Sequence, residues 1–193
     1  MTSPMTKSAQ RKKYLACLKA LSPADRDTFS RRALDRFVAR DAYRNAATIM
    51  GYVSFGTEFP TNALLRRILA DGKTLALPRA AANDMSMTVH AVKNIDTELE
   101  GHGLGFHQPK ASCPLIDVAA VDIVVTPGVG FDSKGNRLGR GAGYYDRFLA
   151  RPGLRAFVCA LAFECQIADA IVSEAHDRPM DMILTEDKII GRT

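Results

Sequence analysis

No stretch of this chain is apolar for the ~18 residues that a membrane-spanning helix needs. The longest attempt, Ala156 to Val172, is interrupted by Glu164, Gln166 and Asp169. Met1 to Lys13 lacks the apolar core of a secretory signal, so the sequence reads as a soluble, cytoplasmic protein. Cysteine is scarce. Cys17, Cys113, Cys159 and Cys165 are scattered without C-x-x-C spacing and read as reduced thiols. The four histidines form no H-x-x-x-H or H-E-x-x-H pattern, which argues against zinc. His176-Asp177 reads as a surface turn before Pro179 rather than an acid/base pair. There is no G-x-S-x-G nucleophile elbow and no RNP1-type aromatic-basic motif. Charge of one sign is not concentrated either: 26 Lys and Arg face 21 Asp and Glu, a formal balance of +5 spread along the chain. That permits an anionic ligand without demanding nucleic acid.

What is present is ordinary globular sequence, 47% hydrophobic and 24% charged over 193 residues. At ~150 residues per domain that is one domain, residues 1–193, with no repeat or linker. Lys7 to Leu21 reads as a helix with Tyr14, Leu15 and Leu18 on one face. Ser22-Pro23-Ala24-Asp25 starts another, with Ser22 as cap, and Phe29, Ala33, Leu34, Phe37 and Val38 form its apolar stripe. Ala47 to Val53 reads as a strand. Thr61 is expected to cap a helix carrying Leu64, Leu65, Ile68 and Leu69, ended by Gly72. Thr74 to Leu77 is a strand stopped by Pro78, Met87 to Val92 another, and Glu100 to Pro114 a loop. Val121 to Thr126 and Ala156 to Ala162 are continuous apolar runs, as in strands buried on both faces. A helix over about Gly143 to Ala150 and a late strand, Met182 to Thr185, complete the pattern. Strands alternating with helices predict an α/β fold with a mostly parallel sheet.

The chemistry concentrates between Val124 and Leu149. Six of the 14 glycines lie there: Gly128, Gly130, Gly135, Gly139, Gly141 and Gly143. The segment leaves a buried strand and enters a helix, which is where open α/β sheets bind ligands. Glycine lets backbone N–H groups converge on an anion, and Arg137 and Arg140 supply forked donors suited to phosphate. Gly130-x-x-x-x-Gly135 has Walker spacing, but Asn136-Arg137 replaces the required Lys-Ser or Lys-Thr. A solvated surface loop carrying two arginines is the competing reading of the same residues. Asp146, one turn into the helix, and Asp181, before the last strand, are the candidate magnesium carboxylates.

Pro127 to Arg147, PGVGFDSKGNRLGRGAGYYDR, closely resembles the signature of the 5-formyltetrahydrofolate cyclo-ligase family, also called 5,10-methenyltetrahydrofolate synthetases. Lys7-x-x-x-Arg11, Tyr52 to Thr61 with Glu58, Gly72-Lys73 to Pro78, Gly105 to Pro109, Leu161 to Gln166 and His176 to Glu186 resemble the family's other segments in order. The resemblance implies a three-layer α/β/α sandwich of the Rossmann-like NagB/RpiA/CoA-transferase kind. It implies an enzyme, a monomer or homodimer, that uses ATP and Mg²⁺ to cyclise 5-formyltetrahydrofolate to 5,10-methenyltetrahydrofolate. By the resemblance ATP meets Lys7, Arg11, Arg137, Leu138, Gly139, Arg140, Gly141, Ala142, Gly143, Tyr144 and Tyr145. The folate meets Val53, Glu58, Arg140, Gly141, Gly143 and Tyr144. Arg140, Lys7 and Arg137 are the catalytic candidates, and Asp146 and Asp181 the magnesium ligands. Ala142, Phe59, Phe106 and His107 stand where the family usually carries other residues, and the tryptophan many members hold near the folate is absent. A sugar-phosphate isomerase or acyl-CoA transferase relative, or a basic nucleic-acid-binding protein, are the alternatives.

Overall fold

The fold is given by a computed structural model that describes residues 5–81, 85–103, 105–174 and 177–191. His176 and the first four positions of the expected loose N-terminal end lie outside the described residues. Helix α1 (Lys7–Ala20) is capped by the Thr6 hydroxyl, which accepts from the Ala9 N–H at 3.2 Å, and it buries Gln10, Tyr14 and Leu18 along one face. Helix α2 (Pro23–Val38) starts as its sequence predicts: Ser22 Oγ accepts from the Asp25 N–H at 3.1 Å and Pro23 occupies the first turn. Five-residue α3 (Asp41–Asn45) is too short to show a period. It exists because Tyr43 packs edge-on against Phe37, centroids 5.2 Å apart. Helix α4 (Asn62–Ala70) buries Leu64, Leu65 and Ile68. Helix α5 (Tyr144–Leu149) buries Phe148 and Leu149.

Twelve short strands follow the chain: β1 (Thr48–Met50), β2 (Thr74–Ala80), β3 (Met87–Val92), β4 (Leu99–Gly101), β5 (His107–Pro109), β6 (Ile123–Val125), β7 (Gly130–Asp132), β8 (Arg137–Leu138), β9 (Phe157–Leu161), β10 (Ile167–Ala168), β11 (Met182–Leu184) and β12 (Ile189–Gly191). Seven of them form the central sheet in the order β12-β11-β9-β6-β1-β2-β3. The five inner strands run parallel, and an antiparallel strand closes each edge. Side chains alternate between two apolar layers. Ile49, Leu75 and Ile123 face α1, α2 and α4, with Leu18, Phe37 and Ile68 among the packed residues. Met50, Ala76, Val124 and Ile183 face the other way, onto Phe148 and Leu149 of α5 and onto irregular chain around Val121 and Leu154. The α/β sandwich therefore stands, with its second helical layer reduced to one short helix. Among the described residues no helix is long and apolar enough to cross a membrane.

Four expectations are corrected. β2 does not stop at Pro78 but runs through it to Ala80, paired antiparallel with β3. Ala76 directs its carbonyl toward β1, accepting from Gly51, so Pro78 turns its nitrogen to the same side, where β1 has already ended at Met50. No ladder bond is lost. Thr61 holds the N-cap position of α4 without capping it. Its hydroxyl instead donates to the Tyr52 carbonyl at 2.5 Å and accepts from the Ser54 N–H at 3.1 Å, closing the 52–61 turn. The loop expected over Glu100 to Pro114 contains the hairpin β4–β5. The glycine-rich loop contains a second hairpin, β7–β8, extended by β10.

That second hairpin is organised by Asp132, which is 1% exposed. One carboxylate oxygen accepts from the backbone of Lys134 at 2.9 Å and Asn136 at 3.0 Å. The other accepts from the Asn136 amide at 2.9 Å and the Ile171 N–H at 2.8 Å. Gly135 makes the turn at φ +85°, where an added Cβ would meet the Met180 carbonyl at 2.6 Å. Asp132→Ala strands four donors, the Ile171 N–H buried and the other three partly buried. It is expected to lower unfolding stability by about 3 kcal/mol, measured by urea denaturation; a change under about 0.5 kcal/mol would count against this bracing role.

Candidate active site

A cavity of about 300 Å³ opens at the carboxyl ends of the parallel strands. Tyr52 and Val53 come from the chain leaving β1, Pro78 and Ala80 from the far end of β2, and Pro127 to Val129 from the chain leaving β6. The hairpin β7–β8 then delivers Arg137, and the turn from Gly139 to Gly143 delivers Arg140 and the start of α5. Two glycines of this turn adopt left-handed backbone that other residues resist: Gly141 at φ +107° and Gly143 at φ +73°. Ala142 between them is exposed and is not among the described residues with left-handed backbone, so its methyl group strains nothing.

The cavity's cations and acids are paired with one another. Arg137, its side chain 7% exposed, donates to the Pro127 carbonyl at 3.1 Å and makes a close ion pair with Asp146. Its guanidinium lies 5.7 Å from the centre of the Tyr145 ring. Arg140 donates from Nε to Glu58 Oε1 at 3.0 Å and sits 4.9 Å over the Phe55 ring. Glu58 Oε2 accepts from the Phe55 N–H at 3.2 Å. Burial pushes the Glu58 carboxyl above its usual range, against the opposing pull of the Phe55 N–H and of Arg140. The Tyr145 hydroxyl is buried without a hydrogen-bond partner among the described residues, and burial raises its pKa far above the usual phenol value.

Of the residues singled out in the sequence, Val53, Glu58, Arg137, Gly139, Arg140, Gly141, Ala142, Gly143, Tyr144, Tyr145 and Asp146 line this one cavity. Arg11 lies beneath the turn, donating from Nε to the Gly139 carbonyl at 2.9 Å. Leu138 points away, into a small apolar cluster with Tyr14 and Ile171. Two more residues named from the resemblance do not line the cavity. Lys7 is not brought to the cavity: its ammonium pairs with Glu174 at 2.7 Å and Asp177 at 3.6 Å, and the Glu174 bond raises its pKa. Asp181 lies at the amino end of β11, the opposite end of the sheet, where its carboxylate accepts from the Val158 N–H at 2.9 Å. It does not meet Asp146, and among the described residues no cluster of three or more His, Cys, Asp or Glu is placed to hold a metal.

Sequence reasoning also missed contributors. Phe55 lines the cavity beside Phe106 and His107, two positions already singled out in the sequence; the Phe55 and Phe106 centroids are 5.7 Å apart, and His102 stacks on Phe106 at 4.4 Å. Arg26 donates to the Glu58 carbonyl at 2.6 Å and the Leu18 carbonyl at 3.2 Å, fixing the Glu58 turn against α1. A lone arginine on a helix gives no signal for this. Phe59, unusual for the family, is buried against Phe163 at 5.0 Å and belongs to the core rather than the cavity.

Comparison with known proteins identifies the family. A profile of the 5-formyltetrahydrofolate cyclo-ligase family matches residues 4–186. The chain belongs to that family. The mouse 5-formyltetrahydrofolate cyclo-ligase is 32% identical over 179 residues, 88% of each chain. The Escherichia coli K12 protein of the same name is 28% identical over 89% of this chain and 95% of its own. The solution structure of Aquifex aeolicus 5,10-methenyltetrahydrofolate synthetase superposes with a TM-score of 0.84 at 27% identity, covering 98% of this chain and 96% of that one. The Mycoplasma pneumoniae synthetase, 20% identical with a TM-score of 0.76 over 94% of this chain and 99% of its own, shares the fold.

The raised Glu58 carboxyl has a consequence for stability. A carboxyl whose folded pKa lies above its ordinary 4.5 favours folding while it is protonated, and that contribution is lost as pH rises through the folded value. Glu58→Gln keeps the neutral state at every pH. It is expected to unfold at a higher temperature than wild type at pH 7, with the gap closing toward pH 4. Parallel melting curves over that range check this; a gap that widens on acidification would contradict it.

Proposed function

We propose that the cavity closes 5-formyltetrahydrofolate to 5,10-methenyltetrahydrofolate at the expense of ATP, releasing ADP and phosphate. The observation that carries this is the meeting of Glu58, Arg137, Arg140 and the Gly139–Gly143 turn in one cavity of a family member. The reading takes the whole chain as one cyclo-ligase domain, supported by the family match over residues 4–186 and by one sheet with strands from Thr48 to Gly191.

The chemical problem is a poor leaving group. The N5-formyl oxygen attacks the γ-phosphorus, the bond to the β-phosphate oxygen breaks, and ADP leaves. N10 then attacks the activated formyl carbon and loses its proton. The oxygen departs with the phosphate, and the cationic methenyl bridge remains. Phosphoryl transfer asks of a protein mainly positioning and charge neutralisation, and no covalent enzyme intermediate is needed. Arg140 and Arg137 supply charge, and the left-handed Gly141 and Gly143 bring backbone close to phosphate. Arg11 holds the turn from below through the Gly139 carbonyl. Glu58 is suited to accept from the pterin N–H groups, and Tyr144 to pack on a flat ring. The buried Tyr145 hydroxyl, without a hydrogen-bond partner among the described residues, offers a donor to a ligand oxygen.

Magnesium fits this cavity as an ion carried by ATP rather than held by a protein cage. Asp146 is the lining carboxylate with an exposed side chain, 43% accessible. One carboxylate with phosphates and water is a usual magnesium environment; the ion's contribution is to neutralise phosphate charge. The nucleic-acid reading is disfavoured because Arg137 and Arg140 are turned into the cavity and paired there.

Mixing the protein with (6S)-5-formyltetrahydrofolate, ATP and Mg²⁺ is expected to produce methenyl absorbance that requires all three; no product from folded protein would overturn the reading. Arg140→Ala is expected to lower kcat by more than about tenfold, the scale of a donor acting in the transition state. Near-normal turnover would remove Arg140 from the chemistry. Glu58→Ala should mainly weaken folate binding, so an unchanged folate Kd would sink that assignment.

A further inference from the structure

Two of the cavity's charges, Glu58 and Arg140, are tied to each other. Arg140 gives its Nε–H to Glu58 Oε1 at 3.0 Å, and its guanidinium sits over the Phe55 ring, 4.9 Å from the ring centre. Both contacts belong to the 52–61 turn, the wall assigned to the pterin. Neither belongs to the glycine turn that would hold phosphate. The pterin-side turn is rigid: Thr61 closes it through Tyr52 and Ser54, and Arg26 holds the Glu58 carbonyl. Glu58 is 9% exposed, so if Arg140 leaves, little water is at hand to replace its charge.

We propose that the Glu58–Arg140 pair is a latch that couples the two substrate sites: the folate releases Arg140 toward the phosphates by taking its place on Glu58. This rests on the assignment of Glu58 to the pterin and Arg140 to ATP. With the cavity empty, ATP must break a charge-assisted hydrogen bond and leave a buried carboxylate unpaired before it gains Arg140. With the folate bound, pterin N–H donors satisfy Glu58 and that cost is gone. The apparent ATP affinity is lowered by the fraction of molecules in which Arg140 is engaged. Coupling of binding free energies is reciprocal, so ATP tightens the folate by the same factor. The latch favours complexes that hold both substrates over those that hold ATP alone. The raised carboxyl pKa of Glu58 agrees with a group that its surroundings under-compensate.

The test reads binding, without turnover. A non-hydrolysable ATP analogue with an imido β–γ bridge, with Mg²⁺, is titrated calorimetrically into wild type, Glu58→Gln and Glu58→Met, each with and without saturating 5-formyltetrahydrofolate. Wild type is expected to bind the analogue at least ~5-fold tighter when the folate is present. Without the folate, both variants are expected to bind the analogue at least ~5-fold tighter than wild type, although each has lost a cavity carboxylate assigned to the other substrate. Adding folate should then give them no further gain. Met fills the Glu58 space without charge or acceptor, so failure of one variant to fold leaves the other to decide, and melting curves report which are folded. Wild-type affinities that agree within about twofold with and without folate overturn the latch. So do folded variants that bind the analogue no tighter than wild type. Absence of methenyl product from wild type overturns the functional reading itself, whereas product formation without coupling removes the latch alone.

Discussion

The buried Asp132 carboxylate fixes the geometry on which the site is built. Between the end of β6 and the start of α5 the chain makes a hairpin too short to have a core of its own. Four N–H donors converging on one side chain replace that core. One of them, from Ile171, ties the hairpin to the segment after β10, which is joined in turn to α1 through Gln10. The hairpin emerges at a fixed angle, so Arg137 enters the protein interior and the Gly139–Gly143 turn lies over the strand ends. Arg11 then fastens this turn to α1. The glycine turn, proposed above to meet phosphate, is thus held by hydrogen bonds from the hairpin on one side and from Arg11 on the other.

Charge balance explains how so many ionisable groups share a small cavity. Arg137 and Arg140 each face an acid, Asp146 and Glu58. Unpaired, any of these groups would carry a large desolvation penalty as burial increases. The pairs differ in character. Arg137 is nearly covered while Asp146 is open to solvent; Glu58 is covered while Arg140 is open. Each pair therefore presents one exposed charge to an arriving ligand, a carboxylate on one side and a guanidinium on the other.

Elements set in periodic or continuous apolar runs were legible in the sequence, and short ones outside such runs were not. Helices α1, α2 and α4 and the parallel core strands follow from apolar period, the Ser22 cap and Gly72. Strands β4, β5, β7, β8 and β10, of two or three residues, leave no period to read, and β12 is defined by its pairing with β11. Pro78 misled because its effect depends on a neighbour strand ending two residues early, a tertiary fact. Thr61 misled because a hydroxyl with a choice of partners took the turn over the helix. In the site, the glycine turn and its arginines were legible because their chemistry is local. Lys7 came from likeness alone and Asp181 from likeness and its place before a strand, and each is engaged away from the cavity by partners distant in sequence. Arg26 and Asp132 escaped because their task is support rather than contact.

Pro78 also shapes what can enter. Beyond Met50 no strand among the described residues pairs with the β1-facing side of β2; Ala80 gives its N–H there to Gln108 Oε1 at 3.1 Å, and Pro78 and Ala80 line the cavity. An ordinary residue there would offer an N–H to any extended peptide able to lie alongside. Proline withholds it. With the Ala80 N–H already given to Gln108 and none at Pro78, this stretch of the wall has no spare backbone donor with which an added strand could pair.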